Sequence, residues 1–153
     1  MLKAGAQAPG FTLGDAAGAK HTLDEILSRG AVLLAVFKIS CPVCQMTLPY
    51  LDRMSKGTLQ IIGISQDDER GTAKFREKFG VAFPMLLDRE WDEYPLSNAL
   101  GVSHVPALFL VEPDGKISLA SEGFVKRDLE AIGERTGVAP FGPDDHVPEW
   151  KAG

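Results

Sequence analysis

The stretch "AVLLAVFKISCPVCQMTLPYLDRMSKGTLQIIGIS", residues 31–65, contains the order that decides the fold. Ala31 to Lys38 and Leu59 to Ser65 are near-continuous apolar runs, the form taken by strands covered on both faces of a sheet. Between them Val43, Met46, Leu48, Leu51 and Met54 recur at broadly helical spacing, and Gly57 is a suitable residue to close a helix. The stretch therefore predicts strand, helix, strand, with both cysteines, Cys41 and Cys44, at the start of the helix.

Outward from this unit the alternation continues. Upstream, "FTLGDAAGAKHTL" predicts two short extended pieces around a turn, followed by a brief helix from Asp24 to Ser28. Downstream, Asp67 to Gly80 predicts an amphipathic helix with Ala73, Phe75 and Phe79 as apolar anchors. "FPMLLD" and "ALFLVEPDGKISLA" predict further strands, the second a hairpin turning at Pro113, Asp114 and Gly115. "KRDLEAIGERTG" predicts a final helix ending at Gly137. The remaining "VAPFGPDDHVPEWKAG" has three prolines and no period. The fold class is α/β: a sandwich with helices on both faces of a mixed sheet. Residues 1–137 are expected to form one domain, and 138–153 a C-terminal surface tail.

At 153 residues the chain suits a single domain, which buries about 70% of the surface of its unfolded form and needs no disulfide or metal to hold a core. Its net charge of −5 is spread along the sequence, and with no basic stripe nothing points to nucleic acid. The longest apolar run is far too short to cross a bilayer, and "MLKAGAQAPGF" has no apolar signal segment. As written, the sequence predicts a cytoplasmic protein, or a periplasmic or extracytoplasmic one if a leader has been removed.

Two cysteines in so long a chain are too few for a disulfide scaffold, so their closeness points to chemistry. Pro42 fits the first helical position, where its missing N–H costs nothing. Cys41 then caps the helix, where free amides and the positive end of the helix dipole favour a thiolate. Cys41 is the expected nucleophile. Cys44, on the same face and deeper, is placed to resolve a mixed disulfide. Two simple alternatives stand beside this reading: a pair of packed small residues, and a soft-metal module holding Cu(I) or Zn(II). One Cys-X2-Cys supplies only two zinc ligands, and His21, His104 and His146 lie at no ligand spacing.

Taken together, "GAQAPGFTL", the strand with "CPVC", "IIGISQDDERGTAKFREKFGVAFPMLLD" and "LGVSHVPALFLVEPDGKI" resemble the thioredoxin superfamily. The similarity is to the branch shared by TlpA/ResA-type thiol-disulfide reductases and AhpC/TSA peroxiredoxins, and it runs from about Gly5 to Gly137. It implies a thioredoxin-like three-layer α/β/α sandwich with an N-terminal β-hairpin extension. It also implies a disulfide-exchanging dithiol, a cis proline at Pro106 and a Val105 backbone open to an extended partner. Substrate contacts are expected from Pro42, Val43, Val105 and Pro106. No cofactor and no metal are implied; the expected partners are a protein or small-molecule disulfide and a cellular dithiol donor.

The peroxidase branch sets different demands. Its Pro-x-x-x-Thr/Ser-x-x-Cys pattern, laid on Cys44, meets Phe37 and Cys41 where proline and a hydroxyl are wanted, and the cis-proline site holds no arginine. Those mismatches remove the groups that stabilise charge on peroxide oxygens. A thiol peroxidase using Cys44 is thus the second reading. The sequence also departs from the reductases: Ser40 stands where a tryptophan is usual, Ala35 where thioredoxin has a buried acid, and Thr47 where ResA-like proteins have a glutamate. The base for Cys44 is left unassigned, and Lys38 is the nearest charge in sequence.

Overall fold

In the computed structural model, which describes residues 1–153, every residue of strand β3 (Val32–Phe37) is buried. Successive strand side chains point to opposite faces, and the core divides accordingly. Leu33, Ala35 and Phe37 enter a cluster with Leu48, Leu51, Phe75, Leu129 and Ile132, whereas Val32, Leu34 and Val36 enter one with Leu23, Ile26, Leu96, Leu100 and Phe109. Helices α2 (Pro42–Met54), α3 (Glu69–Phe79) and α5 (Lys126–Thr136) cover the first face; α1 (Leu23–Leu27) and α4 (Pro95–Leu100) cover the second. This is the three-layer sandwich.

The strands are β1 (Thr12–Gly14), β2 (Lys20–Thr22), β3, β4 (Gln60–Ser65), β5 (Met85–Leu87), β6 (Ala107–Val111) and β7 (Ile117–Glu122), in the spatial order β2-β1-β5-β4-β3-β6-β7. Within the sheet, β3, β4 and β5 are mutually parallel, while β6 is antiparallel to β3 and β7 to β6. The sheet is mixed, as expected. The β1–β2 hairpin does not stand apart from it: β1 pairs with β5 and makes the hairpin one edge.

Helix boundaries follow local caps. The Asp68 carboxylate accepts from the Gly71 amide at the start of α3, and Gly80 closes that helix with a φ of 66°. At α2 the sequence expectation of a helix closed by Gly57 needs correction. The helix ends at Met54 with Ser55 as its cap, and Gly57 serves a close approach: a Cβ there would lie 2.0 Å from the Thr136 carbonyl oxygen. The Thr58 amide donates to that same oxygen, joining the end of α2 to the end of α5.

Helix α4 went unread in the sequence. Its six residues offer only Leu96 and Leu100 as periodic anchors, and its cap is remote. The fully buried Asp88, beyond the end of β5, accepts from the Leu96 and Ser97 amides and from the Ser97 hydroxyl. No helix is long and apolar enough to cross a membrane.

Candidate active site

The C-terminal ends of parallel strands β3 and β4 and the start of antiparallel β6 lie at one edge of the sheet, because Val36 pairs with Ala107 and Phe37 with Ser65. The segments leaving these ends build the site. Residues 38–41 follow β3, 66–68 follow β4, and 103–106 lead into β6.

Cys41 caps α2 in an extended conformation, φ −83° and ψ 115°, with Pro42 beginning the helix. Its Sγ accepts from the Cys44 amide at 3.1 Å and donates to the Val105 carbonyl at 3.4 Å. Cys41 is half-buried and Cys44 fully buried, and both are free thiols. Burial, first of all, pushes the Cys44 thiol up from its ordinary value; its hydrogen bond with Cys41 and the charges of Cys41 and Asp67 act in the same direction. The outer sulfur is therefore the accessible one and the inner sulfur is held as a thiol.

The Val105–Pro106 bond is cis. Pro106 is buried and Val105 half-buried. Of the two residues between the cysteines, Pro42 is exposed while Val43 packs into the core, leaving only the first open to a partner. Thr47 is buried with its hydroxyl donated to the Val43 carbonyl, and Ala35 is buried in the same core, so neither position supplies an acid. Lys38 is exposed.

Two contributors were missed in the sequence. An Asp67 carboxylate oxygen accepts from the Ile39 amide at 2.8 Å, and the Gln45 side-chain amide donates to the Ile39 carbonyl at 2.9 Å. Between them they hold both polar groups of Ile39, two residues before Cys41. The one signal for Asp67 is its place just after a parallel strand, where functional groups of open α/β sheets gather.

The histidines do not join the dithiol. His21 pairs with Asp15 and His104 with Glu122, and His146 is exposed. No group of three or more His, Cys, Asp or Glu side chains is arranged to hold a metal. A cleft of about 830 Å³ beside Arg76, Phe83 and Met85 contains neither cysteine. A smaller hollow of about 190 Å³, lined by Lys38, Gln66, Tyr94, Ser97 and Val105 among others, adjoins the cis-proline segment.

Residues 4–120 match the model of the AhpC/TSA family. The chain belongs to the AhpC/TSA family. Within it, similarity runs to both branches. The chain is 30% identical over 138 residues to the thiol-disulfide oxidoreductase ResA of Geobacillus thermodenitrificans, covering 84% of this chain and 77% of that one. It is also 30% identical over 132 residues to a Mycobacterium tuberculosis protein named as a peroxiredoxin, covering 78% of this chain and 84% of that one. Among solved structures, the thioredoxin domain of a thiol-disulfide oxidoreductase from Bacteroides vulgatus superposes with a TM-score of 0.76 at 24% identity, covering 88% of this chain and 98% of that one. Peroxidoxin BcpB of M. tuberculosis superposes with a TM-score of 0.71 at 22% identity, covering 89% and 94%. These superpositions establish the thioredoxin fold of this AhpC/TSA member.

One consequence of the dithiol geometry is measurable. Only a thiolate attacks a disulfide, and burial holds Cys44 as the thiol, so any exchange in which Cys44 attacks gains reactive species as pH rises. Below the Cys44 pKa the rate of release from a preformed mixed disulfide on Cys41 is expected to climb about tenfold per pH unit. Single-turnover release across the neutral and alkaline range measures this, and a flat profile would contradict it.

Proposed function

We propose that this thiol-disulfide oxidoreductase works through Cys41 as attacking thiol and Cys44 as resolving thiol, with a protein disulfide as its oxidised partner. The Cys41 thiolate attacks one sulfur of the partner, forming an intermolecular disulfide while the other partner sulfur leaves as a thiolate and takes a proton. Cys44 then loses its proton and attacks the Cys41 sulfur. The intramolecular disulfide closes, the second partner sulfur leaves, and two electrons have passed from the protein to the partner. A cellular dithiol donor restores the pair by the same steps in reverse.

The observation that carries this reading is the depth difference within one pair: a half-buried Cys41 sulfur at the helix start, 3.1 Å from the Cys44 backbone nitrogen, and a fully buried Cys44 sulfur. A peroxidase acting through Cys44 needs that sulfur to meet peroxide as a thiolate, whereas it is inside the core and held as a thiol. Val105 and Pro106 serve in this reading as the ledge for an extended partner. The Val105 amide has no backbone acceptor, so it is free to pair with an added strand. Asp67 and Gln45 act as positioning residues through Ile39.

Insulin reduction with dithiothreitol as donor, run beside a peroxide-consumption assay, tests the proposal. Disulfide reduction is expected to be lost in Cys41→Ser, with peroxide turnover minor in the wild type. Rapid peroxide turnover without insulin reduction would overturn it.

A further inference from the structure

Residues 138–153 are bound to the domain along their length. Arg53 of α2 reaches them twice, donating to the Pro140 carbonyl at 3.0 Å and pairing with Asp145 at 2.7 Å. Phe141 packs edge-on against Tyr50, with ring centroids 4.9 Å apart, and lies 5.9 Å from the ring of Phe124. Further on, strand β9 (Trp150–Lys151) pairs antiparallel with β8 (Phe124–Val125), and the Lys126 amide donates to the Glu149 carbonyl. These contacts direct the segment along the edge where β7 passes into β8.

The segment then meets the ledge. Gly153 lies so close to the Val105 carbonyl that a Cβ on it would stand 2.0 Å from the oxygen and 2.8 Å from the carbonyl carbon. Gly123 permits the approach from below, since a Cβ there would fall 2.6 Å from the Lys151 carbonyl oxygen. The Val105 carbonyl thus has the Cys41 sulfur at 3.4 Å and the backbone of Gly153 against it as well. It is also the carbonyl to which an added partner strand would donate.

We propose that residues 150–153 are a built-in, displaceable occupant of the partner-strand site at Val105, so that a disulfide-bearing segment must compete with them. The proposal rests on the strand-addition reading of that ledge. Three features fit the role. The occupant approaches by backbone, the form an extended partner takes. It bears a glycine where any side chain would collide with the ledge. Its pairing to β8 is only two residues long, which suits a segment that lifts. A covalently tethered occupant acts at an effective concentration on the order of millimolar, enough to exclude weak partners and admit those with additional contacts.

The test compares the wild type with Gly153→Val, which cannot seat beside Val105, and with Arg53→Ala, which loses the clip at Pro140 and Asp145. Hydrogen exchange at the Lys126 amide reports attachment without any catalysis. Turnover is read on insulin and on hydroxyethyl disulfide, which has no backbone to pair. In Gly153→Val, Lys126 exchange is expected to speed up and KM for insulin to fall by about tenfold, the scale on which tethered competition acts, with hydroxyethyl disulfide turnover unchanged. Arg53→Ala should shift both in the same direction. Faster exchange with an unchanged or higher KM for insulin would overturn the proposal, because a released segment would then not compete. Unchanged exchange in both variants would overturn it too. Faster exchange in a protein that reduces no disulfide at all would instead refute the proposed function while leaving the seated segment in place.

Discussion

In the Cys44→Ser variant a disulfide substrate is expected to remain covalently attached to Cys41, while Cys41→Ser captures nothing. The half-buried sulfur still attacks, and the serine hydroxyl cannot carry out the second displacement. Turnover should fall to background in both variants, yet only one should give an adduct that survives denaturation and is released by a reductant. The peroxidase reading predicts the reverse: Cys41→Ser would keep consuming peroxide with a small thiol, since an external thiol can reduce a sulfenic acid on Cys44. Serine at position 41 even supplies the hydroxyl that the peroxidase pattern wants three residues before its cysteine. Mass spectrometry of the two variants after exposure to a disulfide peptide decides between them.

Phe109→Ala is expected to cost about 3–5 kcal/mol, the usual range for emptying a large aromatic site in a packed core. Phe109 is wholly buried in the middle of β6, paired with Leu34 of β3 on one side and Ala120 of β7 on the other. Its ring belongs to the face covered by the short helices α1 and α4. Against a total stability of roughly 5–15 kcal/mol, that loss brings the domain close to unfolding. Urea denaturation should show the midpoint falling steeply, whereas Lys74→Ala on the exposed face of α3 should stay within about 0.5 kcal/mol of the wild type. A Phe109→Ala midpoint close to the wild type would mean that the α4 layer contributes little.

The parts of the fold that were legible in the sequence are those whose signal is local. β3 and β4 are covered on both faces and so appear as near-continuous apolar runs. Helix α2 declares itself through Pro42 and its apolar period, and α3 and α5 through Gly80 and Gly137 in left-handed conformations at their ends. What stayed hidden depends on partners outside the element itself. α4 is capped by a buried carboxylate from another strand end, and Gly57 answers to a carbonyl 79 residues away on α5. The tail carries no period because its hold is irregular, an arginine clip between Arg53 and Asp145 and one aromatic ring. The two cysteines were legible as near neighbours. The Asp67–Ile39 contact was not, because a backbone amide has no sequence signature.

The pairing of Val36 with Ala107 sets the distance across the reaction edge. A strand advances about 3.4 Å per residue, so a slip of one position between β3 and β6 would roughly double the 3.4 Å gap between the Cys41 sulfur and the Val105 oxygen. It would also turn every β6 side chain to the opposite layer. Insertion scanning of the gene should record this as a sharp contrast between two surface loops. Added residues in the exposed Ala16–Gly18 turn merely lengthen an outer hairpin, whereas a single added residue between Val102 and Pro106 moves the ledge relative to the sulfur. Two loops of comparable length would then differ entirely in how much length variation the protein accepts.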